Sequence, residues 1–238
     1  MAAETTRTQY QEELDDLESR TLGGLDLVVS ALDRTLEAVE QQDVELATIV
    51  VADDDRIDGR YLEVNQSILT LLATQAPVAT DLRLISALLH VAHSVERMGD
   101  QCVNIAKVIP LTGNDAPQRA EMVDRIVKMG HQARSMLSQA KKAFEARDVE
   151  LARDLVRQDD VIDELNKECF QVAVQVGGDV DVREWAMTMM LVARAIERIG
   201  DNAVDIGEQV AFVVTGLFEE FEDASGTQEH LLRSKPEE

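Results

Sequence analysis

The sequence predicts an all-α protein made of two tandem antiparallel three-helix bundles related by a pseudo-twofold. Three observations predict it. The chain contains a second copy of itself, its apolar residues recur at helical spacing, and aromatic residues make up only 3%. Large β-sandwiches and barrels draw on aromatic and β-branched residues, so the last value favours helices.

The repeat is explicit. Asp43 to Ala47 (Asp-Val-Glu-Leu-Ala) recurs unchanged as Asp148 to Ala152, 105 residues later. At the same offset Asp54-Asp55-Arg56-Ile57-Asp58 matches Asp159-Asp160-Val161-Ile162-Asp163. Further on, Glu96 to Ile105 matches Glu197 to Ile206 with six of ten positions identical, now at an offset of 101. The second copy therefore loses four residues, about one helical turn, between its two motifs.

Each copy reads as three long helices. In the first, Leu14, Leu17, Thr21, Leu25, Val28, Leu32, Leu36 and Val39 step by three or four, which marks one buried helical face. A second helix is expected over about Val44 to Thr74. Pro77 interrupts the pattern, and Asp81 offers a cap for a third helix over about Val78 to Ile109 that stops at Pro110. The stretch Leu111 to Pro117 links the copies. Helices four and five are expected over about Gln118 to Arg147 and Val149 to Val176, with a break at Gly177-Gly178. A sixth runs from about Val182 into Phe221. Long helices with short loops pack as antiparallel neighbours. The expected boundaries are 5–110 for the first repeat, 115–222 for the second, and 223–238 for a flexible tail.

Composition narrows the function. The 238 residues are 45% hydrophobic and 29% charged, with a net charge of −23. A nucleic acid partner needs a basic footprint, which is missing, and anionic lipid is disfavoured for the same reason. Such a field attracts cations or the basic patch of another protein. Cys102 and Cys169 form no spacing motif and read as reduced, buried thiols. The N-terminus has no apolar signal core, and no apolar run approaches the roughly 20 residues of a bilayer span. The expectation is a soluble cytoplasmic protein that meets membranes only through partners.

The chemistry lies in a repeated pattern, an acid followed four residues later by Asp. It occurs as Asp54/Asp58, Glu96/Asp100, Asp159/Asp163 and Glu197/Asp201. Residues four apart share a helix face, and like charges there repel by about 0.2–0.5 kcal/mol per pair. A bound cation would reverse the sign. Single acidic pairs are common on solvated helix faces, but these share a register. The numbers of Asp54 and Asp100 add to 154, as do those of Asp58 and Glu96, which centres that hairpin on residue 77. In the second copy both totals are 360, centred on residue 180. Each hairpin should therefore set four carboxylates at one height. Clustered carboxylates bind metal, share protons or splay into water. An all-oxygen set suits Mg²⁺, Mn²⁺ or Ca²⁺, and iron also fits. Asn104 and Asp205 lie one more step along and could add ligands, as could the neighbours Asp55 and Asp160.

Gly99 and Gly200 sit inside these pairs, where glycine costs a helix about 1 kcal/mol against alanine. Either a close approach by a backbone or metal cluster, or tight helix packing, would explain them. Arg97 and Arg198 recur too, and are expected to face solvent, as are His90 and His93.

Two tandem copies, each with an Asp-Asp-x-Ile-Asp segment and a Glu-Arg-x-Gly-Asp segment on long helices, resemble the PhoU family of phosphate-homeostasis regulators. The resemblance covers residues 5 to 222. Glu197 to Asp201 is very close to the family pattern. Met98 replaces a branched aliphatic in the first copy. Asp81-Leu82-Arg83 is similar to the family's third-helix start, whereas Asp181-Val182-Arg183 is one residue out of step. The resemblance implies two three-helix bundles whose acidic motifs hold metal clusters, with iron or zinc in some members and magnesium or manganese in others. It implies no catalysis. It implies damping of phosphate uptake and of the phosphate starvation response, through the ATPase subunit of the phosphate ABC transporter and a sensor histidine kinase. A homodimer is expected. Carried to this chain, the ligands are Asp54, Asp58, Glu96 and Asp100, with Asp159, Asp163, Glu197 and Asp201.

Two other readings compete. A ferritin-like metalloenzyme needs Glu-x-x-His motifs, and none of His90, His93, His131 and His230 has Glu three residues before it. No nucleophile motif or glycine-rich phosphate loop appears, and acidic sites argue against direct phosphate binding. A metal-free helical scaffold or adaptor explains the long helices but not the acidic register.

Overall fold

The computed structural model describes residues 2–75, 77–112 and 119–221, with side chains from residue 8 onward. Seven α-helices appear among them: α1 (Ala2–Gln41), α2 (Val44–Ala52), α3 (Asp55–Gln75), α4 (Ala79–Val108), α5 (Ala120–Ala146), α6 (Val149–Val174) and α7 (Val180–Thr215). A one-turn 3₁₀ helix, Ile109–Thr112, follows α4 and contains Pro110. The described residues contain no strand.

Each half folds around its own hairpin. In the first, α1 packs along α2, α3 and α4; in the second, α5 packs along α6 and α7. The halves meet where α1 crosses α5 and where α4 lies along α7. The apolar stripe expected on α1 is the buried face, from Leu14 at 1% exposure to Val39 at 0%.

The repeated Asp-Val-Glu-Leu-Ala motif makes the same turn twice. Gln42 and Arg147, each just before the motif, both adopt a left-handed φ of 55°. Asp43 and Asp148 then cap the next helix, accepting from Leu46 N at 2.9 Å and Leu151 N at 3.0 Å. Such a cap contributes about 1 kcal/mol.

Three expectations need correction. The helix expected over Val44 to Thr74 is two helices, because the chain breaks at Asp53 and Asp54. At this break Asp53 forms an ion pair with Arg34 of α1, a partner outside its own hairpin. Its counterpart Gln158 stays inside the unbroken α6. Asp81 does not cap α4: the N-cap is Val78, which makes no side-chain cap bond, and Asp81 lies within the first turn. Finally, α7 stops at Thr215, where Gly216 at φ 77° donates its N–H to Phe212 O at 2.8 Å. Residues 217–221 turn back, stacking Phe218 on Phe212 at 4.0 Å between centroids, and Phe221 N donates to Glu208 Oε1 at 2.8 Å. The expected tail, and most of the expected link between copies, lie outside the described residues.

Candidate metal centre

The α3–α4 turn falls at residues 77 and 78, and the acids on its two sides feel one another's charge. The Asp54 carboxyl is pushed up to about 6, chiefly by burial, then by the charges of Asp58 and Asp100, while Lys107 pulls the other way. Glu96 is raised by burial and by Asp100 and Asp58, against His93 and Arg97. The four acids of the first half therefore share one electrostatic environment across two helices. His93 adds a contact at 3.7 Å from Glu96.

The second half repeats the arrangement with deeper burial. Glu197 is 9% exposed and Asp159 is 7% exposed. Burial raises Glu197, and Asp201 and Asp163 raise it further, while Arg194 on the same helix opposes them through an ion pair.

The two glycines make the close approach possible. A Cβ added to Gly99 would stand 3.0 Å from Ile57 and 3.3 Å from Asp54 Oδ1. One added to Gly200 would stand 2.5 Å from Asp159 Oδ1 and 3.0 Å from Ile162 Cδ1. The same acid–isoleucine pair seats against the same glycine in both halves. Tight packing and site geometry are thus one feature, because the missing methyl is what admits the carboxylate.

Other candidates lie elsewhere. Burial raises the Asp205 carboxyl, and Arg97 and His90 of α4 pull the other way across the seam between the halves. Arg97 is exposed as expected, but it also serves that carboxylate. Asn104 and Asp55 are exposed, and His90 and His93 are exposed as well. Cys102 and Cys169 are free and buried, and burial pushes their thiols up to about 12 and about 11. The arginines Arg34 and Arg194 were not foreseen. Arg194 stands three residues before Glu197, a spacing visible in the sequence; Arg34 acts from 19 residues away.

The donor set fits a hard cation, being carboxylates with room left by glycine. Among the described residues, no three His, Cys, Asp or Glu side chains are gathered closely enough to hold an ion as they stand. Carboxylates repel one another, and a cation between them reverses that. No described helix is long and apolar enough to cross a membrane.

The PhoU domain family matches this chain twice, at residues 24–109 and 126–210. A phosphate-specific transport system accessory protein PhoU homolog of Clostridium acetobutylicum is 29% identical over 213 residues, covering 89% of this chain and 96% of that protein. Homolog 1 of Mycobacterium leprae is 31% identical over 228 residues, covering 93% of this chain and all of that one. The crystal structure of PhoU from Pseudomonas aeruginosa matches with a TM-score of 0.81 at 26% identity, covering 87% of this chain and 100% of that one.

Proposed function

Because the chain belongs to the PhoU family, we propose that it is a metal-binding accessory regulator of phosphate-specific transport that restrains uptake and the starvation response. The observation that carries this reading is the match of both halves to the family, together with relatives that are accessory proteins of phosphate-specific transport over nearly their whole length. The reading is non-catalytic, in line with relatives that are accessory proteins.

In this reading Asp54, Asp58, Glu96 and Asp100 hold one ion or cluster, and Asp159, Asp163, Glu197 and Asp201 hold another. A bound magnesium, manganese, iron or zinc ion supplies the positive charge that ties α3 to α4 and α6 to α7. The protein's own part is to seat Asp54 against Gly99 and Asp159 against Gly200, while Asp58, Asp100 and Asp201 stay exposed. The regulator would act in the cytoplasm, as a homodimer, by contact with the transporter's ATPase subunit and a sensor histidine kinase. The strongly acidic surface suits basic patches on such partners.

A second reading, a metal-free helical adaptor, is favoured by the wide present spacing of the acids. Metal analysis of the purified protein separates the two. Asp100→Ala combined with Asp201→Ala should abolish bound metal; unchanged content would reject the ion site. Deletion of the gene should derepress phosphate-starvation genes in high phosphate, and continued repression would reject the regulatory role.

A further inference from the structure

The two acid patches rest on unlike foundations. At the offsets of the repeat, Ala31, Arg34, Val50, Asp53 and Cys102 of the first half correspond to Met136, Gln139, Leu155, Gln158 and Ala203 of the second. In the second half the large side chains fill the space, with Met136 and Leu155 both at 0% exposure. Gln158 Nε2 donates to Gln139 Oε1 at 2.8 Å and to Asp154 Oδ2 at 2.9 Å, and Gln139 Nε2 donates to Leu151 O at 2.9 Å. This network splints an unbroken α6 directly before Asp159.

The first half has neither filling nor splint. A cavity of about 180 Å³ opens beside Asp54, lined also by Ala31, Arg34, Val50, Gly99 and Cys102. The helix breaks at Asp53 and Asp54, leaving Asp54 between α2 and α3. One ion pair, Arg34 to Asp53, anchors the break to α1. Asp54 also seats less closely, 3.3 Å from the Cβ position of Gly99 against 2.5 Å for Asp159 over Gly200.

We infer that the chain carries an exchangeable ion in its first half and a resident ion in its second, with the Asp53–Asp54 break as the joint on which the exchangeable site opens. This rests on the ion-binding reading above. A carboxylate fixed within a continuous helix and a filled core is preorganised, and a ligand so held releases its ion slowly. A carboxylate at a chain break beside a void can withdraw. The joint also links ion exchange to α2, whose nine residues can follow Asp54 while α6 cannot.

The test uses the full chain, stripped with chelator and reloaded with Mn²⁺. Release into excess chelator should be biphasic, with rates at least tenfold apart. Asp100→Asn should remove the fast phase and Asp201→Asn the slow one, with helical circular dichroism checking the fold of each. Ala31→Met with Val50→Leu transplants the second half's filling and should slow the fast phase alone. Mn²⁺ release in a single phase, or phases assigned the other way round, would overturn the inference while leaving ion binding intact. Failure to take up Mn²⁺ at all would overturn both.

Discussion

Leu36 of α1 packs directly onto Gly130 of α5, closer than a methyl group on that glycine would allow. The contact joins the two halves, and both residues are buried. Gly130→Ala gains about 1 kcal/mol of helix propensity but overpacks the seam, which typically costs about 1–3 kcal/mol. The expected result is net destabilisation, read as a lower urea midpoint.

The glycines of the acid patches should respond unequally. At Gly200 an added methyl meets Asp159 Oδ1 at 2.5 Å, so Gly200→Ala must displace that carboxylate. At Gly99 the nearest atoms are 3.0 Å away, and the gain in propensity of about 1 kcal/mol offsets small shifts. Gly99→Ala should be near neutral in thermal melts, while Gly200→Ala lowers stability and reduces bound metal from the second half.

Asp54 sets a pH dependence in the ion-free protein. Its carboxyl moves from 3.8 to about 6 on folding. Between these values the folded state binds more protons than the unfolded chain, so stability falls as pH rises through that window. Asp54→Asn should flatten this slope in chelator-containing buffer. Ion uptake has the opposite trend, rising across the same window as the ligand deprotonates.

Arg147, the C-cap of α5, and Glu18 of α1 form a two-pronged bridge at 2.8 and 2.6 Å. The guanidinium also lies 4.9 Å from the centre of the Phe144 ring. Glu18→Gln should cost about 1 kcal/mol at low salt, at the upper end for exposed pairs because this one is half-buried. The loss should shrink in 1 M salt, where charges are screened within about 3 Å. Denaturation at the two salt concentrations measures the difference.

The hairpin register was legible because it depends only on residues that share one hairpin. Once Pro77 marks the turn, Asp54 must stand level with Asp100. The break at Asp53 was not legible, because it depends on Arg34 of a different helix. The end of α7 was written in Gly216, but the apolar run of Leu217, Phe218 and Phe221 extended the helical pattern past it. Those side chains are instead carried on a returning segment. Asp205 was assigned by spacing along one helix, whereas Arg97 and His90, which lower its carboxyl against burial, come from the other half.

The bridges across the α1–α5 seam have a direction. Glu18, Asp26 and Asp33 all belong to α1, and their partners are Arg147, which caps the C-terminus of α5, and Lys141 and Arg134 of α5 itself. At the offset of the repeat, those three bases correspond to Gln42, Leu36 and Val29. A first half meeting its own twin would set three acids against neutral side chains and press Leu36 upon Leu25, the counterpart of Gly130. Each half has become a key cut for the other, so the ancestral duplication cannot be undone by separating its products and pairing like with like.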